Sequence, residues 1–143
     1  MDNAIKKELD IACIVDDDLI FTRVLSKLMS AVNFAKTILT FPNGSDALKY
    51  LQSVLDNPGQ LPSVILLDLN MPVLDGWQFL DEFAKCKPGR KITIYIVSSS
   101  IDKADHEKAL SYEAVSRFYI KPVGKNDLLE MSADVMERAL RSE

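Results

Sequence analysis

Five short apolar runs recur along the chain, at 11–15, 37–41, 64–67, 92–97 and 118–120. They are too short for helices and rich in β-branched residues, which predicts strands. Several lack a polar alternate, the pattern of parallel strands covered by helices on both faces. Between these runs the period changes. Phe21, Val24, Leu25, Leu28, Ala31 and Val32 repeat at helical spacing after Asp18, a residue suited to cap a helix N-terminus. Ala47, Leu48, Leu51, Val54 and Leu55 do the same after Gly44-Ser45, and Phe79, Leu80 and Phe83 follow Asp75-Gly76. A last helix is predicted over 127–140. Its apolar residues form two stripes, Leu128, Met131, Val135 and Ala139 with Leu129, Ala133, Met136 and Leu140 beside them, a face wider than one sheet needs. Segment 102–112 carries only Ala104, Ala109 and Leu110 before Tyr112, which predicts a polar, weakly held helix.

Five alternations of strand and helix in 143 residues leave about the ~30 residues of one βα unit to each. There is no room for a second domain. Alternation implies an α/β fold, an open, doubly wound five-stranded parallel sheet with helices on both faces. The stretch 56–62, containing Asn57-Pro58-Gly59, reads as a turn-rich loop before the third strand. Residues 1–9 read as an N-terminal extension and 10–143 as the domain.

Composition adds exclusions. A chain 48% hydrophobic and 27% charged, with five glycines and six prolines, is an ordinary folded domain and neither fibrous nor disordered. A net charge of −4 provides no footprint for a phosphate backbone, so nucleic acid is not an expected partner. No apolar run approaches the ~20 residues of a spanning helix, and residues 1–9 lack the apolar region of a signal peptide. Cys13 and Cys86 make neither a metal spacing nor a disulfide framework; the expected compartment is a reducing cytoplasm.

Chemistry collects at the strand ends, beyond which open α/β sheets bind ligands. The first strand ends in Asp16-Asp17-Asp18, the third in Asp68, the fourth in Ser98-Ser99-Ser100 and the fifth in Lys121-Pro122. Singly, each has an ordinary structural account: a helix cap, turn serines, a strand stopped by proline. Four strand ends together weaken it. Carboxylates in one cleft repel each other unless a cation sits among them, and magnesium is suited, since it takes hard oxygen ligands from one or two carboxylates plus phosphate oxygens. With a lysine ammonium and a serine hydroxyl nearby, the set makes a holder for three charged oxygens around one carboxylate. Phosphoryl transfer to that carboxylate is the reaction it would serve.

The strings Ile14-Val15-Asp16-Asp17-Asp18, Leu66-Leu67-Asp68-Leu69-Asn70-Met71-Pro72-Val73-Leu74-Asp75-Gly76, Val97-Ser98-Ser99 and Tyr119-Ile120-Lys121-Pro122, in this order and spacing, resemble a two-component response-regulator receiver domain. The resemblance covers about residues 10–140. It implies the flavodoxin-like (βα)5 fold with strand order 2-1-3-4-5. It implies Asp68 as phosphoacceptor and magnesium held by Asp17 directly, by Asp16 partly through water, by Asp68 and by the backbone carbonyl of Asn70. Ser98 matches the hydroxyl that bonds a phosphoryl oxygen, Lys121 the lysine that contacts the phosphoryl group, aimed into the cleft by a cis Lys121-Pro122 bond, and Phe118 the aromatic switch position that works with Ser98. The implied role is a signalling domain, not an enzyme with its own substrate, that takes a phosphoryl group from a sensor histidine kinase or a histidine phosphotransfer protein. Output is expected through the face of the fourth helix, fifth strand and last helix, toward a protein target or a second copy. Because the resemblance fills the chain, no attached output domain is expected, and neither nucleic acid nor membrane is an expected partner.

The sequence departs from the family at Ser99, where alanine or another small residue is usual, and at Ser98, where threonine is commoner. Asn70 and Ser100, at positions that tune loss of the phosphate, are small and uncharged. Two rival readings fit worse. A haloacid-dehalogenase type phosphatase would use Asp16 and Asp18, but Leu19-Ile20-Phe21 follows and Asp68–Gly76 is left unexplained. A flavin or nucleotide binder needs a phosphate loop where three aspartates stand. His106 reads as a solvated side chain, Trp77 as a packing residue and Met71-Pro72 as a shaper of its loop.

Overall fold

A computed structural model describes residues 8–141. In chain order it contains β1 (Leu9–Val15), α1 (Leu19–Ala31), β2 (Ala35–Phe41), α2 (Gly44–Ser53), a short 3-10 turn (Pro58–Gln60), β3 (Val64–Leu67), α3 (Gly76–Ala84), β4 (Thr93–Ser98), α4 (Lys103–Leu110), β5 (Val115–Ile120) and α5 (Lys125–Arg141). The strands form one sheet in the order β2-β1-β3-β4-β5, every pair parallel. This is the doubly wound, flavodoxin-like fold expected. The chain starts in the interior, moves out to β2 and then crosses β1 to reach β3, so the order reverses between β1 and β3, where such sheets open a crevice. Val15 pairs with Leu67, so Asp16 and Asp68 leave the sheet side by side.

Neighbouring residues of the inner strands go to opposite cores. Cys13, Val15, Ile65, Leu67, Ile94 and Ile96 meet α2 and α3 residues such as Leu48, Leu51, Phe79 and Leu80 on one face. Ala12, Ile14, Val64, Leu66, Tyr95 and Val97 meet Leu25 and Met29 of α1 and Leu128, Met131 and Val135 of α5 on the other. That double coverage is why β3 and β4 are buried along their whole length.

The edges differ from the sequence reading. β1 starts at Leu9, inside the stretch set apart as an extension, because Leu9 is buried, pairs with Ala35 and donates its N–H to Phe34 O at 3.0 Å. Residues 1–7 of that extension lie outside the described residues. β2 and β5 each pair on one side only, and polar residues such as Lys36, Ser116 and Arg117 extend them beyond their apolar runs. Asn43 caps α2 through a bond from the Asp46 N–H at 2.8 Å, so Gly44 and Ser45 lie within the first turn. On α5 the second stripe is only half-covered, with Ala133 and Leu140 exposed, while Ser132 and Asp134 are buried. The helix over 103–110 is weakly held as expected, with Ala109 its buried residue. Trp77 packs half-buried against the α2–α3 core, the Lys108 ammonium 4.3 Å from its ring centre.

Candidate functional site

Four strand ends build the cleft. Asp16 follows β1, and its side chain is only 2% exposed. Its Oδ1 accepts the Asp18 N–H at 2.9 Å, and its Oδ2 lies 2.9 Å from Lys121 Nζ. Asp17 is exposed at the rim, and Asp18 caps α1 by accepting the Phe21 N–H at 3.0 Å. Asp68 extends the ladder beyond β3, its N–H donating to Val15 O at 2.9 Å. Its carboxylate lies 3.8 Å from Lys121 Nζ and receives a long contact, 3.5 Å, from the Asn70 N–H. Asn70 itself is exposed in the loop that follows.

The β3–α3 loop is folded back tightly. Gly76 donates its N–H to Leu69 O at 2.9 Å, and a Cβ at Gly76 would stand 2.5 Å from Asp68 O and 2.7 Å from Leu69 Cα. Only glycine lets α3 begin this close to the backbone that carries Asp68. Asp75 and Gln78 close a capping box over the start of α3. One turn earlier Leu74 donates its N–H to Pro72 O at 2.9 Å around Val73, whose φ is 69°. A β-branched residue in the left-handed region is strained by of order 1–3 kcal/mol. Met71-Pro72 therefore enters a strained three-residue turn between Asp68 and the start of α3.

Lys121 continues β5, its N–H donating to Ser98 O at 2.9 Å. The Lys121-Pro122 bond is cis. The ammonium also lies 4.3 Å from the centre of the Phe21 ring, a contact with α1 that shields it further. Ser98 is fully buried at the end of β4, and its Oγ accepts the Ser100 N–H at 3.2 Å. Ser99 is exposed beside it.

Charge is unbalanced here. Burial pushes the Asp68 carboxyl up to about 6, and the charges of Asp16 and Asp17 add to the rise; Lys121 and the Asn70 N–H act against it. Carboxylate oxygens of Asp16, Asp17 and Asp68 lie within 4.8 Å of one another. Three hard oxygen donors this close together, two of them on buried residues and with an ammonium beside them, fit a magnesium-type cation.

The sequence reading brought Asp16, Asp17, Asp68 and Lys121 to one cleft, and the structure does so too. Ser98 stands at the neighbouring strand end, and Phe118 lies half-buried on β5. His106 is corrected: it is not freely solvated but partly buried, its imidazole stacked on Phe118 with centres 3.8 Å apart. It lies four residues after Asp102, the α4 cap, so the first turn of the helix turns it toward β5. Phe21 and His106 are the contacts that sequence spacing did not single out.

A family model described as response regulator receiver domain matches residues 12–133. Among curated proteins, the "Probable methanogenesis regulatory protein FilR2" of Methanothrix harundinacea (strain 6Ac) is 26% identical over 127 residues, spanning 89% of this chain and 81% of that one. The two-component response regulator ARR8 of Arabidopsis thaliana is 27% identical over 142 residues; the match takes in 90% of this chain but 62% of ARR8, under two thirds of its length. Among solved structures, a two-component response regulator from Cytophaga hutchinsonii superposes with a TM-score of 0.84 at 27% identity, covering 92% of this chain and 99% of that one.

Proposed function

The chain belongs to the response regulator receiver domain family, a signalling domain of two-component systems, and from this we propose that it accepts a phosphoryl group on Asp68. The donor is a phosphohistidine of a sensor histidine kinase or a histidine phosphotransfer protein. An Asp68 carboxylate oxygen attacks phosphorus, the P–N bond breaks, and the imidazole leaves and takes up a proton; the product is an aspartyl phosphate. One observation carries the reading: Asp68, desolvated at the switch point, faces both acidic neighbours and the Lys121 ammonium at 3.8 Å.

Lys121 neutralises charge that develops on the phosphoryl oxygens, and the Ser98 hydroxyl donates to one of them. Asp16, Asp17, Asp68 and the backbone carbonyl of Asn70 would hold magnesium, which supplies positive charge against the same oxygens. Once formed, the phosphate adds charge and acceptor oxygens that draw Ser98, and Phe118 turns toward the space this leaves. The signal then leaves through α4, β5 and α5 to a protein partner or a second copy. The expected setting is cytoplasmic, and no helix among the described residues is long and apolar enough to cross a membrane.

Transfer of labelled phosphate from a phosphorylated histidine phosphotransfer domain tests this. Label should pass to the chain within seconds to minutes in magnesium and fail to pass after chelation. Equal transfer with and without the metal would contradict the proposal.

A further inference from the structure

Phe118 lies face to face with the His106 imidazole, the ring planes 19° from parallel. That imidazole also reaches the β4–α4 loop, its Nε2 being 3.1 Å from Ser100 O. A carbonyl oxygen only accepts, so Nε2 carries the proton and donates. Ser100 in turn donates its N–H to Ser98 Oγ at 3.2 Å, and its hydroxyl donates to Asp105 Oδ2 at 2.7 Å, pinning the loop to the first turn of α4. A single loop residue thus joins the Ser98 hydroxyl to the Phe118 ring by way of His106.

We propose that His106 is a positioning residue, a latch that holds the Phe118 ring and the Ser98–Ser100 loop in the unphosphorylated arrangement. The inference rests on Asp68 being the phosphoacceptor. Movement of the Ser98 hydroxyl toward a phosphoryl oxygen pulls on the Ser100 N–H and shifts the Ser100 carbonyl away from His106. With that bond gone the stack is held less firmly, and Phe118 is free to turn. α4 suits such a motion, because Ala109 is its buried residue and few contacts oppose a small shift. Contacts made only in the resting arrangement weaken the affinity for any ligand that needs the other one. Loss of one stack and one hydrogen bond amounts to about a tenfold change.

The test is the apparent affinity for beryllofluoride in magnesium, read by backbone NMR shifts, in the wild type, His106→Ala, His106→Phe and both Phe118→Ala and its double variant with His106→Ala. His106→Ala should bind about tenfold tighter, and His106→Phe, which keeps a ring but loses the Ser100 bond, should fall between. In the Phe118→Ala background the histidine change should have a smaller effect, since only the Ser100 bond is left to lose, a coupling that a role independent of the ring would not produce. A folded His106→Ala that binds no tighter, or whose effect is undiminished without Phe118, overturns the latch and leaves the phosphoacceptor reading standing. Should His106→Ala not fold, His106→Phe decides by the same criterion. A wild-type chain that takes no beryllofluoride overturns the phosphoacceptor reading, and the latch with it.

Discussion

The Lys121 ammonium stands 2.9 Å from Asp16 and 3.8 Å from Asp68, with its side chain 17% exposed. Removing one partner of such a group leaves uncompensated buried charge, which costs about 3 kcal/mol. Lys121→Ala should therefore lose about this much stability to urea in metal-free buffer, and millimolar magnesium should restore most of it. Equal losses with and without magnesium would show that the carboxylates do not share a cation. The two aspartates that follow β1 should differ. Asp16 is engaged by Lys121 and by the Asp18 N–H, whereas Asp17 is exposed. Magnesium titrations followed by Trp77 fluorescence should show a loss of at least about tenfold in Asp17→Asn and a smaller one in Asp16→Asn; equal losses would contradict the ranking. These residues were legible in the sequence because each is a polar residue that ends an apolar run. Phe21 and His106 were not, since ring contacts depend on where a helix is laid against the sheet, which spacing along one element does not set.

Among the elements, the β3–α3 connection is tightly constrained. A methyl group at Gly76 must displace the backbone of Asp68 and Leu69 or move α3 away from it. Gly76→Ala should cost about 1–3 kcal/mol in urea unfolding and slow phosphoryl incorporation while the fold persists. A variant as stable and as fast as wild type would show that the loop has slack. Inner strands were legible because burial on both faces makes them continuous apolar runs; β2 and β5, with one neighbour each, alternate with polar residues and were read too short. The strained turn at Val73 had no signal, because nothing local favours a valine at positive φ. The histidine on α4 was misread for a related reason: a polar helix looks solvated until the sheet edge beneath it is known.

Across the whole molecule, α5 is tied to the sheet by a polar network, buried at Asp134 and exposed at Glu130 and Arg117, as well as by its apolar stripe. Asp134 accepts the Tyr95 hydroxyl at 2.5 Å and the Ser116 hydroxyl at 2.6 Å, with Arg138 at 3.4 Å and Arg117 at 4.0 Å. Glu130 accepts the Tyr119 hydroxyl at 2.7 Å and pairs with Arg117 at 2.6 Å. Burial alone would raise the Asp134 carboxyl, but the two hydroxyls and the two guanidiniums outweigh it and hold it below its ordinary value. Hydrogen bonds from Tyr119 and Arg117 do the same for Glu130. A depressed carboxyl contributes stability that is present above its unfolded value, near ~4, and lost as pH falls through the folded one. Asp134→Asn should accordingly be about 1–3 kcal/mol less stable than wild type at pH 7, with the gap narrowing below about pH 4; a gap independent of pH would mean that the charge is not what matters. The alternation of strand and helix made this architecture legible, but Ser132 and Asp134 were not expected in the core, because a buried carboxylate is identified by its partners on other elements. All of these parts position one carboxylate. The most direct test is to phosphorylate the chain with acetyl phosphate in magnesium, reduce the acyl phosphate with borohydride to homoserine and locate that residue by peptide mass spectrometry. Homoserine at position 68, absent after chelation and in Asp68→Asn, is the predicted result; homoserine at 16 or 17, or labelling undiminished in Asp68→Asn, would contradict the account.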